Sequence, residues 1–65
     1  MEDTKLLLTV PQAADRLGVG RSLLYEMIRR GELQSIRLGR ARRVPVAALQ
    51  HFVEEKLQAE ASEDG

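Results

Sequence analysis

The chain predicts a mainly α fold with one small β-hairpin, in the order helix, helix, hairpin, helix. Three observations point to it. Apolar residues recur at helical spacing in three separate stretches, a short glycine-containing turn separates the first two, and the period falls to two between Leu33 and Val46. With 65 residues and no cysteine, this is one domain near the lower size limit for folding without staples. No disulfide framework or thiolate metal site is available, so packing must hold it together.

Residues 1–5 show no apolar periodicity and form an expected flexible N-terminus. Thr9-Val10-Pro11-Gln12 then reads as a helix start. Thr9 can cap, Pro11 suits the first turn because its missing N–H is unneeded there, and Gln12 stands at the reciprocal capping-box position. Val10, Ala13, Ala14 and Leu17 line one face, and Gly18 supplies the stop. A second helix is expected from Gly20-Arg21 to Arg30, with Gly31 ending it. Leu24 and Ile28 define its apolar face, widened by Leu23 and Met27. Two helices joined by a short glycine-bearing turn make a helix-turn-helix.

The alternation beyond Leu33 reads as a hairpin, Ser35 to Leu38 with Arg42 to Val44, turning at Gly39-Arg40-Ala41. Pro45 would open a third helix whose face is Leu49, Phe52, Val53 and Leu57. Residues 58–65 are small, acidic and unpatterned, and form an expected disordered tail. The domain proper is therefore residues 6–57, and the hairpin makes it a winged helix-turn-helix.

Charge is distributed very unevenly. Net charge is zero, yet eight of the ten basic residues lie between Arg16 and Arg43 against only Glu26 and Glu32. The two ends carry the compensating acid, so the molecule should be strongly dipolar. Basic charge gathered on one helix and one β-loop suits nucleic-acid phosphates. On the second helix, Arg21, Ser22, Tyr25 and Arg29 face outwards with only Glu26 for compensation, and neither Ser22–Glu26 nor Tyr25–Arg29 is an acid–base pair. A merely solvated face is usually salted with such pairs, which favours base and phosphate recognition. Two readings of Tyr25 stand: a ring covering the edge of the core, or a group offered to phosphate or to a thymine methyl. Arg37, Arg40, Arg42 and Arg43 could simply blunt a short β edge. Four arginines with no acid between Gln34 and Gln50 exceed that need and suit a wing on the DNA backbone or in a minor groove. Alternation keeps all four from pointing one way, and Arg40 and Arg42, nearest the tip, are the first choice.

Enzymatic and cofactor readings find no support. The serines lack a nucleophile motif, and His51 is the sole histidine, with no second imidazole or thiol to complete a metal set. Gly18-Val19-Gly20 follows a helix and not a strand, unlike a phosphate-binding loop. No enzyme activity, cofactor or metal is expected. Leu6-Leu7-Leu8 is far too short for a signal or membrane span, so a cytoplasmic, nucleoid-associated protein with no membrane partner is expected.

The pattern of Leu7-Leu8-Thr9-Val10, Ala13-Ala14, Leu17-Gly18-Val19, Arg21-Ser22, Leu24-Tyr25, Ile28-Arg29, Gly31-Glu32-Leu33, Ile36-Arg37, Gly39-Arg40, Arg43-Val44-Pro45 and Leu49 resembles the excisionase-type helix-turn-helix domains, relatives of the MerR winged helix. The likeness spans roughly residues 6–54. It implies that the second helix enters the major groove and the wing contacts the flanking minor groove or backbone. Carried onto this chain, those roles fall to Arg21, Ser22, Tyr25 and Arg29, then to Arg40 and Arg42. The chain departs from the pattern at Gly20, where a serine is common, and at Arg42, where an aromatic residue is frequent. The resemblance implies double-stranded DNA as partner, an integrase or recombinase as co-worker, binding to tandem sites with bending, and head-to-tail self-association on DNA. MerR-type regulators add a dimerisation helix and effector domain, for which little chain remains after the third helix. A small transcriptional regulator on the same fold is the alternative. An antitoxin or adaptor using the acidic third helix as ligand is the alternative of another class.

Overall fold

The computed structural model describes residues 5–64, with side chains through residue 61. Most of the expected flexible N-terminus, residues 1–4, lies outside the described residues, as does Gly65. The elements are β1 (Leu7–Leu8), α1 (Val10–Leu17), α2 (Arg21–Arg29), β2 (Ile36–Leu38), β3 (Ala41–Pro45) and α3 (Val46–Asp64).

Local chemistry sets the start of α1. The Gln12 N–H donates to Thr9 Oγ1 at 3.2 Å, and the Thr9 N–H donates to Gln12 Oε1 at 3.0 Å, closing the capping box. At its other end, Gly18 turns left-handed at φ 77°. The Gly18 N–H reaches Asp15 O at 3.1 Å and the Val19 N–H reaches Ala14 O at 3.0 Å. This Schellman arrangement satisfies the last carbonyls and redirects the chain into α2 within a few residues. The end of α2 uses the same pairing, with Gly31 N–H on Ile28 O at 3.0 Å and Glu32 N–H on Met27 O at 2.9 Å. The chain then drops Leu33 into the core.

The sheet holds an addition that sequence reading did not anticipate. β1 pairs antiparallel with β3, Leu7 opposite Pro45 and Leu8 opposite Val44, giving the strand order β1-β3-β2. Two residues are too few to show an alternating pattern, and the partner strand lies far along the chain. Pro45 ends β3 rather than opening the third helix; α3 begins at Val46, whose N–H donates to Leu6 O at 2.9 Å. The hairpin register is Ile36–Arg43, Arg37–Arg42 and Leu38–Ala41, so the turn is Gly39-Arg40 alone. Its positive φ falls on Gly39, at 62°, the first central position, where a type II′ turn needs glycine.

Leu8, Val10, Ala13, Ala14, Leu24, Met27, Leu33, Val44 and Leu49 form the core, and among the described residues no polar side chain is buried. The alanines of α1 let α2 approach closely. Three expectations need correction. Leu23, expected to widen the apolar face of α2, is 50% exposed; the buried pair is Leu24 and Met27, with Ile28 half-buried. Of the face expected on α3, Leu49 is buried and Phe52 half-buried, while Val53 and Leu57 are exposed, lining an open apolar groove with Leu17, Val19 and Leu23. α3 also continues to Asp64 where a disordered tail was expected from Gln58. Gln58-Ala59-Glu60-Ala61 are strong helix formers, and no glycine or proline intervenes before Gly65.

Candidate nucleic-acid interface

Anchoring Leu24 and Met27 in the core decides which residues α2 presents outwards. With successive residues turned by about 100°, Arg21, Ser22, Tyr25 and Arg29 are exposed. Gly20 caps the helix without a side-chain hydrogen bond, which leaves the N–H groups of the first turn open beside Arg21 and Ser22. Those donors and the positive end of the helix dipole favour an anion there.

The register of the hairpin decides the rest. Side chains alternate along a strand, so Arg42 lies on the same face of β3 as buried Val44, the face turned towards the helices. Arg37 is directly opposite Arg42 and shares that face. Two like charges so placed destabilise a strand pair, a cost that an anion held between them removes. Arg42 Nη1 donates to Ser35 Oγ at 2.8 Å, which steadies its direction. Arg43 lies on the opposite face with Ile36 and Leu38. It is half-buried, and its Nη1 donates to the carbonyl of Arg42 at 3.1 Å. Arg40 is exposed at the turn.

Between helix and wing runs an open groove of about 620 Å³, lined by Ser22, Tyr25, Glu26, Ile28, Arg29 and Arg42. Four of the eight candidate residues thus meet in one concavity. Arg37 stands beside it through its pairing with Arg42, and Arg21 and Arg40 flank it on the first turn of α2 and the wing tip. Arg43 does not converge with them. Tyr25 is 54% exposed and lines the groove, so its ring is not chiefly a cover for the core.

The outer face of α2 is better salted than its spacing suggested. Glu26 pairs with Arg29 Nη2 three residues on and with Arg30 Nε at 3.3 Å four residues on; Arg30 Nη1 also reaches Glu32 at 3.6 Å. The i,i+4 pair Glu26–Arg30 was readable in the sequence. Ile28 and Ser35 are further additions. Ile28 was assigned to the core, and Ser35 meets Arg42 only through the fold of the hairpin. His51 is exposed and bonded to Glu55 at 3.0 Å, away from the groove.

A helix-turn-helix with a small wing, and a cationic groove between its second helix and that wing, defines the class of winged DNA-binding domains. Comparison with known proteins agrees. Residues 7–57 match the helix-turn-helix domain family. Over 54 residues the chain is 48% identical to an excisionase of Streptomyces ambofaciens, covering 83% of this chain and 87% of that protein. It is 44% identical over 48 residues to a probable excisionase of Saccharopolyspora erythraea, covering 74% of this chain and 49% of that protein. The chain belongs to the excisionase-type helix-turn-helix family. No solved structure matches it. Among the described residues, no helix is long and apolar enough to cross a membrane.

Proposed function

We propose that this chain is a non-catalytic excisionase, a recombination directionality factor that binds duplex DNA and acts with an integrase. The observation that carries the reading is the shared groove, in which Ser22, Tyr25 and Arg29 of α2 face Arg42 of the wing. An α-helix about 10–12 Å across fits a B-DNA major groove about 12 Å wide. With α2 seated there, Arg21 and Ser22 reach base edges, Arg29 and Tyr25 reach the flanking backbone, and Arg37, Arg40 and Arg42 follow the adjacent phosphates or minor groove. Arg43 contributes long-range charge from the far face.

The relatives named as excisionases favour this reading over a transcriptional regulator. Binding to tandem sites, bending of the DNA and head-to-tail self-association complete the proposal. A gel shift and footprint on the DNA around the chain's own gene test it. Protection of two or more sites in direct repeat, with slower migration of the complex when the sites lie at the middle of the fragment than when they lie near its end, is the expected result. Absence of duplex binding at 50 mM salt would overturn the DNA assignment, and a lone palindromic pair of half-sites would overturn the tandem arrangement.

A further inference from the structure

Among the described residues, one carboxylate lines the cationic groove, that of Glu26. Its side chain is 35% exposed and bonds two guanidinium groups, Arg29 through Nη2 and Arg30 through Nε at 3.3 Å. Such half-exposed ion pairs contribute little to stability, so the network is poorly explained as a structural device. Its placement is costly for binding, because an acid in a phosphate-binding surface repels the polyanion and occupies the arginines meant for it. Arg21, at the other end of α2, forms no ion pair among the described residues and carries no such restraint.

Resting on the DNA-binding reading of this groove, we infer that Glu26 is a specificity-determining residue that suppresses binding to non-cognate duplex. On arbitrary DNA the protein is held by phosphates alone. There the Glu26 carboxylate holds Arg29 back and faces the backbone charge. At a cognate site α2 sits fully in the major groove. Glu26, one turn beyond Ser22, then lies over base edges, which carry amine donors as well as acceptors, and its repulsion falls away. Arg29 exchanges Glu26 for a phosphate only in that seated register. The acid thus lowers non-specific affinity more than specific affinity, which widens the ratio between them.

The test compares the full chain with Glu26→Gln on a random-sequence duplex of about 20 base pairs and on the site footprinted near its gene. The neutral variant should bind the random duplex about tenfold tighter at 50 mM salt. Its log–log salt slope should steepen by about 0.9, one additional phosphate contact. Affinity for the footprinted site should change by no more than about threefold. Glu26→Ala should reproduce this, and Glu32→Gln, which removes an equal charge outside the groove, should leave random-duplex affinity within about twofold. Circular dichroism should show an unchanged fold, since glutamine and alanine are good helix formers. Equal gains from Glu26→Gln and Glu32→Gln would reduce the effect to bulk charge and overturn the inference. Wild-type binding with Glu26→Gln unchanged or weaker would overturn it while leaving the DNA site standing. A wild type that binds neither duplex would overturn both.

Discussion

Leu24 is completely buried between the helices and the sheet, and it is the residue that fixes the rotation of α2. Truncating it to alanine should cost about 2–5 kcal/mol, read as a lower denaturant midpoint, because the lost contacts leave a cavity that a core this small can only partly close. The outward residues answer to different measurements. Arg21→Ala or Ser22→Ala should leave stability within about 0.5 kcal/mol of the parent, as surface substitutions do. Each should shift preference among binding-site variants by about 1–3 kcal/mol if its side chain reads a base edge. A uniform loss across all variants would instead assign that side chain to phosphate. Arg29 was chosen from the sequence on a face with only Glu26 for compensation and with Tyr25, not an acid, four residues before it; the fold pairs it with Glu26, three residues before it. Spacing alone contained the clue, since Glu26–Arg29 and Glu26–Arg30 are ordinary helical neighbours.

Individual elements differ in how openly the sequence declares them. The capping box, the glycine stops and the amphipathic face of α1 are short-range devices and were legible. β1 was not, because a two-residue strand acquires its identity only from Val44 and Pro45 across the sheet. The wing lies between these cases: its alternation and turn glycine were visible, while its register followed from which face Val44 buries. Gly39→Ala tests that element, since a left-handed alanine costs about 1–2 kcal/mol. The helical signal in circular dichroism should persist while duplex affinity falls. An unchanged affinity would mean that the wing takes no part in binding.

At the scale of the molecule, electrostatics should dominate the behaviour. With about four phosphate contacts, affinity should fall by roughly 100-fold between 50 and 200 mM salt. Arg42→Ala should flatten that dependence by about one contact, whereas Glu54→Ala, on the acidic third helix, should leave the slope as it is. Arg29→Ala should flatten it less than Arg42→Ala on non-specific DNA, because Glu26 already occupies that guanidinium. A salt-independent affinity would remove the phosphate assignment altogether. The described chain is elongated, with extents of 43 × 31 × 18 Å, and its longest element is α3.

The amino-acid order alone determined the helix limits set by caps and glycines, the division into helices and hairpin, and the concentration of positive charge in the middle of the chain. Each of these depends on interactions spanning a handful of residues, which leave a local trace. The tertiary structure decided which arginines act together. Arg42 joins Ser22, Tyr25 and Arg29 because burial of Val44 turns that face of β3 towards α2, and Arg43, its immediate neighbour, is directed away by the same pleat. A one-residue step on a strand reverses the side-chain direction, so no count of charges could have told the two apart.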